Sequence, residues 1–578
     1  MQFYRALSTQ LNWCKLLVVL AIAIFLNGTL MAQDEASYNR FQFHKYNWRV
    51  YHGKAFQVYF PADAADSLSR FIAKETPDAI SRIKKATLKE LPKNINIVVY
   101  PSIDQLYETN IGARETQDFT FPTFAYKGMR IVLAYSGSYA DIRFQLDEGL
   151  ARAMWETQMK DGDKEDDGKQ STSKTKGSAN TNPIPFWFKE GAIRYFAHGW
   201  TIADEDNFRA SFERNNFSSF QQILNYEPRL GGQAFCYFLA QHFYPKVVAQ
   251  ACFQVKKKKS VARGLRLVTK CEMDTLYAAC FTYYQQRFRR ATPLENVAAG
   301  DIKFHHRKGI IQQVLLNEGK SIAAYVLLEN GNRNVYLYDI KKKQDTRLAS
   351  YKLPPWLNDH SMDLYPLIRW HTGGTQLYVA MPRKGKLSIA RYQQDGKLAE
   401  RNIIVGVDGI TSFQPLSDRD FLLTAYRKGQ TDIVSYDDNH EQFTAYTDDI
   451  YDDAQPVLTG NRAEALFVSD RPLKQEERKT FFIGVGFKKD TLRQGIYAVK
   501  DKQIRPVIID SAVFVRYDKL VRLNDSMVLG TTTKYGREDN ILLNYRDDKL
   551  LALGAYKPYQ YLPGKNEILF FKSENDSM

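Results

Sequence analysis

The stretch Asp141–Met159, DIRFQLDEGLARAMWETQM, decides how the first half of the chain folds. One apolar residue recurs in it every four positions, at Ile142, Leu146, Leu150 and Met154. This is the spacing of a single face of an α-helix. We therefore expect an amphipathic helix over about 141–159, with its apolar stripe turned towards a core.

The segments on either side of this helix complete one domain. Short apolar runs predict strands at Trp48–Tyr51, Ala55–Phe60, Asn94–Tyr100 and Ile131–Tyr135, and a helix at about Asp66–Leu91. Residues 160–182 are almost all charged, Ser, Thr, Gly or Asn; because such residues cannot bury surface, they predict a mobile loop. A second helix follows at Pro185–Phe196. We expect residues 33–297 to form an α+β domain.

Residues 1–32 are typical of a secretory signal peptide. Arg5 and Lys15 supply positive charge, Leu16–Leu26 is an apolar run of 11 residues, and Ala32 is a small residue suited to cleavage. A membrane anchor is the alternative, but the run is shorter than the ~20 residues that span a bilayer. We expect cleavage and an exported, periplasmic protein without a transmembrane segment, with a peripheral position at the outer membrane as one option.

The charge of the chain taken alone would suggest a nucleic-acid partner. Its 578 residues include 80 Lys and Arg against 65 Asp and Glu, which gives a formal net charge of +15. Because an exported protein meets no genome, we expect no nucleic acid as partner. The basic run Lys256–Lys259 stays open between a solvated helix end and a site for an acidic partner.

The remaining metal- and redox-capable residues form no motif. Four cysteines share one stretch without CxxC or Cys/His spacing, and they could form disulfides or stay buried thiols: Cys236, Cys252, Cys271 and Cys280. His198, His305 and His306 lack partners at ligand spacing, so we expect them to be exposed or hydrogen-bonded. Since no GxSxG, P-loop or GxGxxG motif stands in a strand-to-helix context, we predict no cofactor.

After about Ala298 the pattern changes to short strands that repeat. Each unit has an apolar strand, a Gly- or Asp-containing hairpin and a returning strand, at Val335–Asp339, Leu387–Tyr392, Asp432–Asp437, Gly495–Val499 and Asn540–Tyr545. The returning strands start 52, 45, 63 and 45 residues apart. These intervals are in the range of propeller blades. A sandwich of unrelated hairpins is the alternative.

Strands marked by proline precede three of the hairpins, at Asp363–Trp370, Ser412–Leu416 and Asp453–Val457, and a Ser-Asp-Arg turn follows at Phe467–Arg471. This pattern resembles the TolB-like propeller repeat. The resemblance implies a multidomain chain in which the α+β domain precedes an all-β propeller of about six blades at residues 298–578.

The last predicted blade is incomplete, because the chain stops in mid-hairpin at 568–578. Either the sequence is a fragment, or residues near Asp301–His305 complete the blade. Three acidic pairs lie in predicted propeller turns and are interpreted as turn residues, with calcium binding as a minor alternative: Asp437-Asp438, Asp448-Asp449 and Asp452-Asp453.

The strand at 131–135, the Gly137–Tyr139 turn, the helix after it and the Trp187–Gly191 element together resemble gluzincin-type zinc metallopeptidases. In that family two histidines of an HExxH helix and a later glutamate bind zinc, and the Glu of the motif is the general base. Carried over by position, the resemblance puts Asp147 and Ala151 at the histidines, Glu148 at the base and Glu190 at the third ligand.

Both histidine positions are therefore substituted. Alanine has no donor atom, and three carboxylates make an oxygen set unlike the imidazoles that zinc prefers. Without zinc, no water is activated for Glu148 to deprotonate. We predict no metal and no catalytic residue, with Ca²⁺ bound by the carboxylates as a minor alternative. Glu148 and Glu190 are interpreted either as ordinary surface or cap carboxylates or as remnants of a peptide-sized cleft.

The sequence thus predicts a non-catalytic exported module that combines a pseudo-peptidase domain with a propeller. Its expected partner is a protein or peptide, with an outer-membrane complex as one candidate. An active zinc metallopeptidase with an unusual metal site is the alternative function.

Overall fold

The computed structural model describes residues 45–109 without 93, 123–125, 129–159, 184–289 and most of 310–570. Within the last range it leaves out 318, 320, 330–331, 353–364, 372–373, 384–385, 460–463, 472–493, 509–514, 523–526, 535–536, 545–548, 555–557 and 563–566. The predictions for residues 1–32, 160–182, 301–306 and 568–578 therefore lie wholly or mostly outside the described residues.

The chain divides into two compact units. The first comprises residues 1–46 and 103–119. Its described part contains helix α2 (Ile103–Tyr107), and Tyr46 donates a hydrogen bond to Gln105 at 3.2 Å. The second unit comprises residues 47–102 and 120–578 and contains every other element below.

The α+β region of the second unit has a five-stranded mixed sheet with the order β1-β2-β3-β5-β4. Strands β2, β3 and β5 are parallel, whereas β1 and β4 pair antiparallel at the two edges. The strands are β1 (Trp48–His52), β2 (Phe56–Pro61), β3 (Ile95–Tyr100), β4 (Thr123–Ala125) and β5 (Arg130–Ala134). The four strands predicted from the apolar runs are confirmed.

Nine helices belong to this region as the structure describes it: α1 (Asp66–Thr87), α3 (Tyr139–Met159), α4 (Phe186–His198), α5 (Ile202–Asn215), α6 (Phe220–Tyr226), α7 (Pro228–His242), α8 (Val247–Lys258), α9 (Val261–Thr269) and α10 (Met273–Arg289). The predicted helices at 66–91, 141–159 and 185–196 are confirmed as α1, α3 and α4. Among the described helices, none is both long and apolar enough to cross a bilayer.

Helix α3 is buried on more sides than its sequence pattern indicated. The predicted stripe is buried, with Ile142, Leu146 and Leu150 at 0% exposure. Gln145 ties the helix to the end of β5, because its amide accepts a hydrogen bond from Ala134 N at 2.9 Å and donates one to Ala134 O at 2.7 Å. Polar residues of α3 are buried as well: Asp147, Glu148 and Arg152 are all 7% exposed or less.

The C-terminal region consists of successive antiparallel sheets. Four-stranded sheets follow the chain order β6–β9, β10–β13, β14–β17, β18–β21 and β22–β25, and a two-stranded sheet contains β26 and β27. The strands are β6 (Ile310–Leu316), β7 (Ile322–Glu329), β8 (Asn332–Asp339), β9 (Gln344–Lys352), β10 (Leu367–Trp370), β11 (Gln376–Arg383), β12 (Lys386–Gln393), β13 (Leu398–Ile404), β14 (Gly409–Pro415), β15 (Asp420–Arg427), β16 (Gln430–Asp437), β17 (Gln442–Ala445), β18 (Asp453–Leu458), β19 (Ala465–Ser469), β20 (Gly495–Lys500), β21 (Gln503–Ile508), β22 (Val515–Arg522), β23 (Met527–Lys534), β24 (Arg537–Asn544), β25 (Lys549–Gly554), β26 (Pro558–Leu562) and β27 (Glu567–Phe570).

The first strands of these sheets lie side by side. Strand β10 contacts β6 and β14, β18 contacts β14 and β22, and β26 contacts β6. The first strand of each sheet is therefore innermost, which is the arrangement of a propeller-like region. The five predicted returning strands are the third strands β8, β12, β16, β20 and β24, and the proline-marked strands are the innermost β10, β14 and β18.

Helices α4 and α7 approach each other through two glycines. A Cβ atom on Gly232 would lie 2.0 Å from the carbonyl oxygen of Trp187, and a Cβ on Gly191 would lie 2.2 Å from the backbone of Gly232. No side chain fits between backbones this close. The contact holds Glu190, which precedes Gly191, against the helix that carries Arg229.

We expect Gly232→Ala to destabilise the protein by about 2 kcal/mol or more, because the new methyl group forces two backbones apart. Gly231→Ala is the matched control in the same helix, since its Cβ would meet only Ile223 and Leu224 at distances of 3.2 Å or more. The control should stay within about 1 kcal/mol of wild type. Thermal or denaturant unfolding checks both variants, and equal losses would contradict this account of the packing.

Candidate functional site

A buried cluster of ion pairs lies where α3, α4 and α7 meet. Arg152 donates to both carboxylate oxygens of Glu190 at 2.8 Å and to Glu148 at 3.2 Å. Arg229 donates to Glu148 at 3.0 Å, and its Nε lies 3.7 Å from Glu190. Glu148 and Glu190 are both 0% exposed. Two guanidinium groups therefore share the two carboxylates that the resemblance assigns to a general base and a metal ligand.

Asp147, the third carboxylate that the resemblance points to, belongs to a neighbouring network. Arg82 of α1 lies 2.7 Å from Asp147 and 2.7 Å from Glu75, and Arg143 lies 3.0 Å from Glu75. Asp147 thus faces α1, whereas Glu148 faces α4 and α7. The structure brings Glu148 and Glu190 together and gives Asp147 separate partners.

The remaining predicted position, Ala151, is 0% exposed and part of the apolar core. His198, expected to be exposed or hydrogen-bonded, has a side chain that is only 6% exposed. Its Nε2 lies 3.5 Å from Glu148, and its ring stacks on Phe144 at 3.5 Å between centroids. Sequence reasoning missed three members of the cluster, His198, Arg152 and Arg229, and it also missed Arg82 of the neighbouring network.

The interpretation of Glu148 and Glu190 as surface or cap carboxylates is wrong, because both side chains are buried. For the same reason neither carboxylate lines a solvent-open cleft in the part of the chain that the structure describes. The residues do not fit zinc: Ala151 offers no donor, and arginines hold the carboxylates. Among the described residues, no group of three or more His, Cys, Asp or Glu side chains could hold a metal ion.

The two networks hold their carboxyl groups in different electrostatic environments. Burial raises the pKa of Asp147 above its ordinary value, despite the hydrogen bond from Arg82. Burial would also raise the pKa of Glu190, but the guanidinium of Arg152 outweighs it and lowers that pKa. Glu190 is therefore ionised at neutral pH and paired with a permanent cation.

A second polar cluster joins the start of α3 to the propeller-like region. Asp452 accepts hydrogen bonds from the backbone N–H of Tyr139, the first residue of α3, and from the hydroxyl of Tyr135, the latter at 2.9 Å. Thr431 donates to the carbonyl of Gly137 at 3.0 Å. Asp452 thus satisfies an N–H at the helix end that would otherwise lack a partner.

Several acidic residues surround Asp452. Arg471, whose side chain is 2% exposed, pairs with Asp453 at 2.6 Å and with Asp449 at 3.0 Å. Interpreting Asp452 and Asp453 as ordinary turn residues is therefore wrong, whereas Asp449 does act as a turn residue and accepts from the N–H of Tyr451 at 3.1 Å. Asp437 does act as a turn residue and accepts from the N–H of Asn439 at 2.9 Å.

Two carboxyl groups of this second cluster have pKa values above the ordinary value. Burial raises the pKa of Asp432 to about 7, and burial also raises that of Asp470 to about 7. The charged or titratable groups around them are Tyr135, Tyr139, Asp449, Asp452, Asp453 and Arg471.

The four cysteines are free thiols in this structure; the alternative of buried thiols holds for Cys236 and Cys280, whereas Cys252 and Cys271 are half-buried. Cys236 and Cys280 are buried, and burial raises the pKa of both thiols. They are therefore protonated at neutral pH and behave as small apolar side chains.

We expect Arg152→Met to destabilise the protein by about 3–5 kcal/mol, because it leaves buried carboxylates without their partner. The double variant Arg152→Met/Glu190→Met should recover part of this loss, since Arg229 and Glu148 remain as a balanced pair. Lys189→Met is the control: it removes a partly exposed pair with Glu156 at 2.6 Å and should cost less than about 1 kcal/mol. If Arg152→Met cost no more than Lys189→Met in denaturant unfolding, the cluster would not be a strong constraint.

We also expect stability to rise on acidification from pH 7.5 to 5.5. The folded pKa of Asp432 is about 7, above its ordinary 3.8, so the folded state binds this proton more tightly. The contribution is complete below pH 4 and is lost as pH rises to about 7, at roughly 1.4 kcal/mol per pH unit. Asp432→Asn should flatten the dependence of the melting temperature on pH in this window, and an unchanged slope would contradict the assignment.

No family model and no curated protein matches the sequence. Solved structures that match include TolB from Acinetobacter baumannii, with a TM-score of 0.32 and 15% identity over 43% of this chain and 54% of that one. The alignment thus spans about half the length of that TolB.

Two further structures show the same likeness. A putative TolB from Agrobacterium tumefaciens has a TM-score of 0.32 and 11% identity over 46% of this chain and 92% of that one. The β-propeller domain of the Trilobed protease from Pyrococcus furiosus has a TM-score of 0.29 and 9% identity over 42% and 70%. The propeller-like architecture of this chain rests on its own strand order rather than on these distant similarities.

Proposed function

We propose that this chain is a non-catalytic, exported protein-binding or scaffold module, in which a pseudo-peptidase domain accompanies a TolB-like propeller. The observation that carries the proposal is the pairing of Glu148 and Glu190 with Arg152 and Arg229 at 2.8–3.2 Å. A general base must reach a water molecule to accept its proton, and a metal ligand must face a metal ion. Here both carboxylates face guanidinium groups instead.

The chemistry of this cluster argues for a structural role. Arginine remains protonated at any physiological pH, so it cannot exchange protons with a substrate. The cluster is closed to solvent, because the side chains of Arg152 and Arg229 are 5% and 8% exposed. Its place at the junction of three helices suits it to holding them together.

Edge strand β1 supports a binding role. Among the described strands it pairs only with β2, and all five of its residues are exposed. Val50 and Tyr51 are 38% and 48% exposed, which is high for large apolar side chains. An edge strand of this kind can accept an extended segment of a partner protein by strand addition.

Metal analysis and peptide digestion test the non-catalytic part of the proposal. We expect the purified full chain to carry no stoichiometric zinc and to cleave no member of a peptide library. Glu148→Gln is the informative variant, and Glu156→Gln is its control on the same helix outside the cluster. Bound zinc, together with cleavage that Glu148→Gln abolishes and Glu156→Gln leaves intact, would establish an active metallopeptidase instead.

Affinity capture from the bacterial envelope tests the binding part. The full chain as bait should recover a defined protein partner, and Tyr51→Ser should reduce its recovery because it weakens the β1 surface. Tyr226→Ser is the matched control, since Tyr226 is also an exposed aromatic residue, at 56%. Equal recovery with both variants would exclude β1 as the binding surface, and no specific partner would contradict the binding role.

A further inference from the structure

Helices α8 and α9 form a tight hairpin whose outer surface the proposed function does not use. They are joined by Lys259, in the left-handed conformation at φ 52°, and by Ser260, which caps α9. At Gly264 the helices touch through their backbones, because a Cβ there would lie 2.7 Å from Val255 N. The hairpin is therefore closely packed, with Val255 and Leu265 buried at 0% exposure.

The charge of this hairpin has one sign. Residues 256–270 contain seven basic residues and no acidic one: Lys256, Lys257, Lys258, Lys259, Arg263, Arg266 and Lys270. Lysines in the last turn of α8 interact favourably with the negative end of the helix dipole. This interaction would explain their presence at a solvent-exposed helix end. The same explanation covers Arg266 and Lys270 at the end of α9, where Arg266 also pairs with Glu272 at 3.1 Å, but it does not extend to Arg263, which is exposed in the first turn of that helix.

Large apolar side chains are exposed among these cations. Phe253 of α8 is 50% exposed and Leu267 of α9 is 43% exposed. The end of α1 adds Leu88, at 46%, and Lys89, whose Nζ lies 5.0 Å above the Phe253 ring. Because Lys257 follows Phe253 by four residues, the two share a helix face.

We propose that this surface docks on a bilayer containing anionic phospholipid. We define the basic-apolar surface as Leu88, Lys89, Phe253, Lys257–Lys259 and Leu267. Lysines attract the phosphate headgroups, while phenylalanine and leucine enter the boundary between headgroups and acyl chains. An acidic protein would match the cations but would give the exposed apolar side chains no comparable role, so the combination favours a lipid surface.

Vesicle binding tests the proposal with the full chain. Wild type should bind vesicles of phosphatidylglycerol and phosphatidylcholine and should not bind vesicles of phosphatidylcholine alone. Each lysine near an anionic surface contributes roughly fivefold in partitioning, so Lys257→Gln/Lys258→Gln/Lys259→Gln should weaken binding about 100-fold. Raising the salt concentration from about 0.1 M to about 1 M should release the wild type, because the Debye length falls from ~10 Å to ~3 Å.

A matched control exists in the propeller-like region. Lys341, Lys342 and Lys343 form a second exposed triplet, in the turn after β8, and Lys343 has φ 54°, close to the φ 52° of Lys259. The variant Lys341→Gln/Lys342→Gln/Lys343→Gln removes the same charge and should bind vesicles as wild type does. Equal melting temperatures of the two triple variants verify that neither change disturbs the fold.

The apolar residues separate the lipid from an acidic protein. Phe253→Ser/Leu267→Ser should weaken vesicle binding about 10-fold or more and leave binding to polyglutamate unchanged. The proposal is overturned if wild type ignores anionic vesicles or if both lysine triplets matter equally. It is also overturned if polyglutamate binds as tightly as vesicles and the apolar change has no effect, since the surface would then serve an acidic protein.

Discussion

The buried pairing of Arg152 and Arg229 with Glu148 and Glu190 is the constraint on which the helical half of the molecule depends. Each charge in this cluster has left water, and only its partners compensate for that loss. Two cations and two anions balance, so none can be removed singly at low cost. The cluster spans α3, α4 and α7 and thereby specifies how three helices meet. In a protein with metal-binding side chains at these positions, a bound metal ion could fill the same role.

Much of the fold could be predicted from local pattern. The four-residue spacing of Ile142, Leu146 and Leu150 correctly predicted α3, because apolar periodicity reports which face meets a core. The repeat of hairpins after residue 298 correctly predicted the succession of sheets, because each blade is a local unit. The interpretation of Glu148 as a surface or cap carboxylate was wrong, since a carboxylate on a helix looks the same in sequence whether water or an arginine faces it.

The candidate site could be predicted only in part. Arg152 follows Glu148 by one helical turn, so this pair was visible in the sequence as an i, i+4 spacing. Arg229 lies 81 residues from Glu148, and His198 is at the far end of another helix, so no spacing could connect them. The resemblance to gluzincins placed Glu148 and Glu190 in one site, and the two carboxylates do lie in one cluster. It could not show that Arg152 and Arg229 pair with them.

The proline-marked strand β18 and the Ser-Asp-Arg turn after β19 have a physical explanation in this chain. Asp453 begins the proline-marked strand β18, and Arg471 ends the Ser-Asp-Arg turn after β19. Nη2 of Arg471 donates to both carboxylate oxygens of Asp453, at 2.6 and 2.8 Å, and both side chains are buried. This pair thus links the innermost strand β18 to the turn that follows the next strand, β19. The charged residues of the motif therefore stabilise the fold.

Asp452 has a consequence for how the molecule can be studied in pieces. Residue 297 looks like a natural place to cut, because helices precede it and strands follow. A cut there would remove the carboxylate that accepts the first N–H of α3 and would uncover the tyrosines packed beside it. In the amino-terminal half produced alone, the first turn of the helix that carries Asp147 and Glu148 would fray. Measurements on that fragment would therefore not describe the intact protein.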